Sequence, residues 1–165
     1  MDKPIIGTNE KITLVGLGRT DVPAKIDTGA DSSAIWVSDL KVTKDNILKF
    51  KLFGPNSPFY TGKVISRTNF GVAIIRGGNG IQQIRYRTRF RIRLGGKRLN
   101  LIFSLADRSN HNYPVIIGRR AISGKFLVDV SCHALTIPKP NPEQKPLNEE
   151  NTKNPYHFYK KYVKK

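Results

Sequence analysis

Cysteine, long hydrophobic runs and acidic residues are all scarce in this sequence, and each scarcity excludes a class of protein. The single cysteine, Cys132, excludes an intrachain disulfide framework. No stretch approaches the ~20 consecutive apolar residues of a membrane-spanning helix, and the first residues, MDKPIIGTNE, lack the apolar run of a signal peptide. We therefore expect a cytoplasmic protein that has no membrane partner.

The shortage of acidic residues leaves a large positive charge. The sequence has 12 Asp+Glu against 29 Lys+Arg, which gives a formal net charge of +17 and a pI of about 10.3. Such a surface attracts polyanions, which include nucleic acid, ribosomes and acidic polypeptides. The charge therefore indicates a class of partner, but it does not indicate a chemistry.

The composition changes near residue 137. From there to the last residue the sequence contains five prolines and many polar residues, without an apolar period that could pack a core. We predict one domain over residues 1–136 and a disordered basic tail over residues 137–165. An alternative role for the aromatic and basic ending, YHFYKKYVKK, is to bind nucleic acid or a groove on a partner.

Short runs of Ile, Val and Leu, separated by Gly, Pro and Asn at about ten-residue intervals, indicate a mostly β protein. The predicted strands are Lys11–Val15, Val22–Ile26, Leu48–Lys51, Gly62–Val64, Gly71–Ile75, Ile81–Leu94, Leu99–Ser104, Pro114–Ile117 and Phe126–Val130. The glycines of GLG (residues 16–18) and LGGKR (residues 94–98) predict hairpin turns. A short helix should begin near Arg119 and stop at Gly124. We predict an all-β fold, a closed barrel with one short C-terminal helix.

Arginine alternates with mostly apolar residues in the segment RYRTRFRIRL, residues 85–94. Side chains in a strand point to opposite faces with period two, so the segment predicts a row of guanidinium groups about 6.6–7 Å apart on one face. The row consists of Arg85, Arg87, Arg89, Arg91 and Arg93. Because arginine binds carboxylate or phosphate through two hydrogen bonds, the row is a candidate anion-binding site. The alternative is a solvated outer face that keeps the protein soluble or deters edge pairing.

The segment AKIDTGADSSAIW places a carboxylate, Asp27, at the end of an apolar run with small residues after it. An aspartate in such a turn is often only a turn former whose side chain caps backbone amides. Far downstream, YPVIIGRRAI reads as a second apolar strand that ends in glycine and leads into a helix. Nothing else in the sequence repeats the Asp-Thr-Gly pattern.

These two segments together resemble the retropepsin-like aspartic proteases. The matching residues are Asp27, Thr28, Gly29, Ala30, Asp31, Ile116, Ile117, Gly118 and Arg119. The fuller pattern, with LADRSNHNYPVIIGRRAI and FLVDVS, is similar to the branch associated with the RimK-type ligase, which adds glutamates to a ribosomal protein. That branch is labelled as ATP-dependent zinc proteases. The resemblance covers roughly residues 10 to 132.

Aspartic proteases activate a water molecule between two carboxylates that share one proton. Because the chain has one Asp-Thr-Gly and no duplicated half, we predict that the second carboxylate is Asp27 of a second copy in a symmetric homodimer. The resemblance implies the same arrangement. It further implies that Thr28 bonds across the twofold axis, that Gly29 lets backbone approach the substrate, and that Asp31 pairs with Arg119. The alternative for the last pair is an ordinary surface ion pair.

The resemblance also implies a flap over the substrate, for which the glycine-containing segments Arg76–Gly80 and Phe53–Gly62 are both candidates. The zinc in the family label requires ligands, but Trp36 stands where members often carry histidine. The remaining candidates, which are His111, Cys132, His133 and His157, show no HExxH or CxxC spacing.

We therefore expect no metal and no cofactor. ATP binding lacks support because the sequence has no GxxxxGK[ST] loop. Ser32 and Ser33 have no nearby base in sequence, which argues against a serine nucleophile.

Two functions follow from these observations. The first is an aspartic endopeptidase or related amide hydrolase in which Asp27 from each of two subunits activates water, with acidic or polyglutamylated polypeptides as substrates. The alternative is a non-catalytic module that binds polyanions such as rRNA or the ribosome through the Arg85–Arg93 strand and the Lys-rich tail.

Overall fold

The structure is a computed structural model that describes residues 2–76, 80, 82–134, 153, 154 and 156. The strands are β1 (Ile5–Ile6), β2 (Asn9–Leu14), β3 (Arg19–Asp27), β4 (Ser33–Val42), β5 (Leu48–Leu52), β6 (Val64–Arg67), β7 (Phe70–Arg76), β8 (Gln82–Leu94), β9 (Lys97–Ala106), β10 (Val115–Gly118) and β11 (Leu127–Val128), and the helix is α1 (Arg119–Ile122). Within the described part of the chain, no helix is long and apolar enough to span a membrane.

Six strands close into a barrel in the order β10-β3-β2-β8-β9-β4, and β4 pairs back onto β10. Strands β3 and β10 are parallel, as are β4 and β9, whereas the remaining barrel pairs are antiparallel. Strands β5 and β6 extend the sheet beyond β4, and β7 pairs with the first half of β8. The predicted all-β closed barrel with one short helix is therefore confirmed.

The core forms because the barrel strands alternate between buried apolar and outward residues. In β3, Val22, Ala24 and Ile26 are buried, so Lys25 and Asp27 share the opposite face. The Phe90 ring packs edge-on against Phe103 and Phe50, with centroids 5.6 and 6.2 Å apart. The largest fully buried side chains are Phe50, Phe53, Phe90, Phe103, Ile6, Ile12, Leu14, Ile35, Leu48, Ile92, Leu94 and Ile117.

Both predicted hairpin turns are present. Gly95 and Gly96 alone connect β8 to β9 with φ values of 51° and 77°, which is the left-handed backbone that a two-residue hairpin needs. The predicted helix also lies in place, since α1 begins at Arg119 and Gly124 follows it with a φ of 73°.

The main difference from the predicted strands is β4, which the sequence analysis missed. Its polar residues make tertiary hydrogen bonds: the Ser33 hydroxyl accepts from the Gly118 amide at 3.1 Å, and the Ser38 hydroxyl donates to the Phe53 carbonyl at 2.6 Å. The strand therefore forms through partners that are distant in sequence. The predicted strand Gly62–Val64 was also misplaced: β6 begins at Val64, because Gly62 has a φ of 71°.

A small parallel pair lies outside the barrel sheet. Strand β1 pairs with β11, so that Ile5 lies opposite Leu127 and Ile6 opposite Val128. Most of the predicted tail, residues 137–165, lies outside the described residues, and the division at residue 136 stays a prediction.

Candidate active site

Asp27 is the last residue of β3, and its carboxylate caps the turn that follows. The backbone amides of Gly29 and Ala30 both donate to Asp27 Oδ1 at 3.2 Å, and the Ala30 amide lies 3.2 Å from the Asp27 carbonyl. Asp27 Oδ2 lies 3.6 Å from Lys25 Nζ, with 26% of the Asp27 side chain exposed. The turn thus fixes one carboxylate oxygen and leaves the other at the surface.

The second motif lies directly beside this turn. Strand β10 runs parallel to β3, so that Ile117 lies opposite Ile26 and Gly118 opposite Asp27. The Arg119 amide donates to the Ala30 carbonyl at 2.8 Å. A Cβ atom at Gly118 would lie 2.6 Å from backbone atoms of Ser32, so only glycine fits there. The two segments that carried the resemblance therefore form one structural unit.

Asp31 forms an ion pair with Arg119 at the beginning of α1, and its second oxygen lies 4.0 Å from Arg120. The Asp31 and Arg119 side chains are 52% and 61% exposed, which is typical of surface pairs that stabilise a fold little. Thr28 is exposed and hydrogen-bonds to no residue that the structure describes. Its hydroxyl is therefore available for a contact outside the described chain.

The arginine row lies in β8 as the alternation predicts, but its members differ in exposure. Arg87, Arg89, Arg91 and Arg93 are exposed, and buried residues lie between and after them. Arg85 is half-buried and donates to the Gln83 side chain at 2.7 and 3.1 Å. Among the described residues, none of the five arginines forms an ion pair with a carboxylate.

Sequence reasoning missed Arg108, which lies in the loop between β9 and β10. This side chain is only 8% exposed, and its Nε donates to the Tyr113 carbonyl at 3.0 Å. Burial lowers the pKa of Arg108, the positive charge of Arg85 lowers it further, and the negative charge of Asp27 opposes both. In the sequence, the polar string ADRSNHN gives no sign of a buried cation, because charged loop residues are mostly exposed.

Among the described residues, the candidate zinc ligands do not gather into a site. Trp36 packs against Gly54, where a Cβ atom would lie 2.6 Å from Trp36 Cζ2, and its ring lies edge-on to Phe53. Within residues 2–76 and 82–134, no three histidine, cysteine, aspartate or glutamate side chains gather as metal ligands. The candidate His157 lies outside the described residues.

The two flap candidates differ in their surroundings. In Phe53–Gly62, Phe53 is buried and its amide donates to the Trp36 carbonyl at 3.0 Å, so this segment is held against the barrel. Arg76–Gly80 connects β7 to β8, and residues 77–79 lie outside the described residues. Strands β7 and β8 expose Val72, Ile74 and Ile84.

A cavity of about 470 Å³ opens beside Trp36. Asp39 and Asp107 contribute to its lining, whereas the Asp27 turn does not. This cavity is therefore not the cleft in which Asp27 would act.

A closed six-stranded barrel, with an Asp-Thr-Gly turn at the end of one strand and an Ile-Ile-Gly-Arg segment beside it, defines the class of retropepsin-like domains. Residues 5–139 match the model of the RimB-like family, described as the retropepsin-like aspartic endopeptidase RimB. The chain belongs to this family, and the resemblance inferred from the sequence is confirmed.

The curated relatives carry a different name. A "Probable alpha-L-glutamate ligase" from Shewanella pealeana is 30% identical over 133 residues, which cover 79% of this chain and 29% of the relative. A protein of the same name from Parasynechococcus marenigrum is 28% identical over 130 residues, covering 77% of this chain and 28% of the relative. The chain thus spans less than a third of the length of these relatives.

A solved structure from Legionella pneumophila, a protein of unknown function with the label DUF785, shares the fold. It superposes with a TM-score of 0.61 at 26% identity, covering 79% of this chain and 96% of that one.

Proposed function

We propose that two copies of the chain form a peptidase in which the two Asp27 carboxylates face each other across a twofold axis. The observation that carries the proposal is the Asp27 turn: two amides hold Oδ1, Gly118 lies opposite in β10, and Oδ2 is left at the surface. The described partners of this carboxylate are two amides and Lys25, and none of them is a carboxylate. In the proposed site, the second carboxylate is Asp27 of another copy.

Amide hydrolysis by such a pair needs one ionised and one protonated carboxyl group. The ionised group takes a proton from water as the water oxygen attacks the carbonyl carbon, while the protonated group donates to the carbonyl oxygen. When the tetrahedral intermediate collapses, the carboxyl group that took the water proton passes it to the nitrogen, and the other carboxylate takes a proton from a hydroxyl group of the intermediate as the C–N bond breaks. The products are a carboxylic acid and an amine, and both carboxyl groups are ready for another cycle.

We propose acidic, glutamate-containing polypeptides as the substrates. The net charge of +17 attracts acidic chains over a long distance. In addition, a region similar to this chain occurs within proteins named for joining glutamate. A hydrolase in that setting would cleave the kind of amide bond that the ligase name implies.

The concentration dependence of activity tests the paired site. With a glutamate-rich peptide as substrate, activity per chain should rise with chain concentration and level off where sedimentation shows dimers, because a monomer holds half of the site. A tandem fusion of two copies should lose this dependence. Hydrolysis by a species that sediments as a monomer would contradict the paired site, and a lack of hydrolysis of any acidic peptide would contradict the peptidase.

The exposed arginines support a second candidate function, binding of polyanions such as rRNA without catalysis. Replacing Arg87, Arg89 and Arg91 together with glutamine should reduce the slope of log affinity against log salt by up to about 3, because each phosphate contact contributes about 1. Fluorescence anisotropy with labelled RNA at several salt concentrations measures this slope.

The matched control removes the same charge elsewhere. Lys41, Lys44 and Lys63 are exposed and lie outside β8, so their joint replacement with glutamine should change the slope much less. Equal effects of the two triple variants would show that binding depends on net charge and not on the arginine row.

A further inference from the structure

Arg108 is a buried cation whose charge has no partner among the described residues. It is 8% exposed, and its single described hydrogen bond runs from Nε to the Tyr113 carbonyl. No described carboxylate lies within ion-pair distance of it. Every buried side-chain nitrogen in the described chain has a hydrogen-bond partner. Because the terminal guanidinium nitrogens of Arg108 have no described hydrogen bond, they are not buried and reach solvent. The stem of Arg108 is therefore packed while its tip stays open.

A guanidinium whose stem is packed and whose tip reaches solvent is held in one position and still has donors to offer to an anion. The neighbouring Asp107 does not serve as the partner, since its carboxylate accepts from the Ser109 amide at 2.9 Å and lines the cavity beside Trp36. Asp27 does not serve either, because its described ion pair is with Lys25.

Hydrogen bonds place Arg108 on the same side of the barrel as Asp27. Asn9 in β2 lies opposite Lys25 in β3, so both side chains share the face on which Asp27 lies. The Asn9 side chain donates to the Tyr113 hydroxyl at 3.0 Å, and the Tyr113 carbonyl accepts from Arg108. The effect of Asp27 on the pKa of Arg108 agrees with this placement.

The register of β8 and β9 brings Arg85 to the same region. The β8–β9 pairing ends at Arg87 opposite Ser104, so Arg85, two residues before Arg87, and Arg108, two residues after the end of β9, lie at the same end of this strand pair. The His111 amide donates to the Arg108 carbonyl at 3.0 Å. Partial burial lowers the pKa of His111, and Arg108 and Arg85 lower it further, so both cations lie near this ring.

We propose that Arg108 determines specificity by binding the carboxylate of an acidic substrate side chain next to the bond at Asp27, with Arg85 as a second contact. This inference rests on the proposed function of Asp27. A guanidinium with a free fork binds a carboxylate through two charge-assisted hydrogen bonds, whereas it gains little from a neutral amide of the same shape. The site therefore selects glutamate over glutamine at that position.

Binding in a non-hydrolysing background tests this proposal separately from catalysis. In Asp27→Asn protein, the affinity for a labelled glutamate-rich peptide and for the same peptide with glutamine is measured by fluorescence anisotropy. Adding Arg108→Gln should lower the affinity for the glutamate peptide about 10- to 100-fold, which is the range expected for a charge-assisted hydrogen-bonded pair. The affinity for the glutamine peptide should change less than about twofold. Lys44→Gln, which removes an exposed positive charge outside β8, is the control and should change the affinity for the glutamate peptide less than about twofold.

Because Arg108 is buried, thermal unfolding of each variant accompanies the measurement. If Arg108→Gln does not fold, Arg108→Lys and Arg85→Gln replace it, each with an expected loss of about 3- to 10-fold for the glutamate peptide alone. Equal loss for both peptides, or unchanged affinity for the glutamate peptide, would overturn the assignment. Wild-type protein that binds the glutamate peptide but never cleaves it would contradict the peptidase and leave the Arg108 site standing.

Discussion

Asp27→Asn is expected to lower kcat/KM for hydrolysis of glutamate-rich peptides by at least about 1,000-fold, because an amide can neither accept a proton from water nor return one. The side chain keeps its shape, and its remaining oxygen can still accept from the Gly29 and Ala30 amides, which now hold Asp27 Oδ1. Folding should therefore be retained. Mass spectrometry of the peptide products measures the loss, and sedimentation checks that dimers persist.

The control for this substitution is Asp45→Asn. Asp45 is an exposed carboxylate in the turn between β4 and β5, so it carries the same change in charge without any contact with the Asp27 turn. Its kcat/KM should stay within about twofold of wild type, in line with the small effects of surface substitutions. An Asp27→Asn protein that keeps a tenth or more of the activity would remove Asp27 from the mechanism.

Gly118→Ala is expected to destabilise the fold strongly for the addition of a single methyl group. The new Cβ would lie 2.6 Å from the Ser32 carbonyl carbon and oxygen and 2.9 Å from the Ala30 carbonyl oxygen, all of which are backbone atoms. This clash can be relieved only if β10 moves away from the Asp27 turn. Such overpacking lowers the free energy of unfolding by about 1–3 kcal/mol or more, which urea denaturation measures.

The same displacement should reduce activity more than stability alone explains. Gly118 lies opposite Asp27, so a shift of about 1 Å at the turn should lower kcat/KM about 100-fold. Gly71→Ala is the matched control, because there the nearest atom is Nε of the exposed Arg87 side chain at 3.3 Å, which can move. A Gly118→Ala protein as stable and active as Gly71→Ala would contradict the packing described for the turn.

The parts of the fold that sequence reasoning predicted are those set by short-range patterns. Strand β8 follows from the strict alternation of residues 85–94, and the β8–β9 turn follows from two consecutive glycines. The two halves of the candidate site were also predicted, as motifs, although only the structure shows Gly118 beside Asp27.

The parts that were missed depend on distant partners. The polar residues of β4 favour a strand only because Gly118 and Phe53 lie beside them in the folded chain. Arg108 looks like any charged loop residue until Tyr113 and the end of β9 enclose it. No local sequence pattern indicates either contact, because both form only when the barrel closes.

The pairing of β1 with β11 has a consequence for how this fold is combined with others. The Leu127 amide donates to the Pro4 carbonyl at 3.0 Å, and the Asp129 amide donates to the Ile6 carbonyl at 2.9 Å, so the first and last strands of the described chain run side by side. The chain enters the fold at β1 and leaves it at β11, so its two ends are neighbours. Neighbouring ends favour insertion of a domain into a longer protein. A barrel whose two ends lie together can be joined to a longer protein at one place, and the matched region makes up 29% of the relative from Shewanella pealeana.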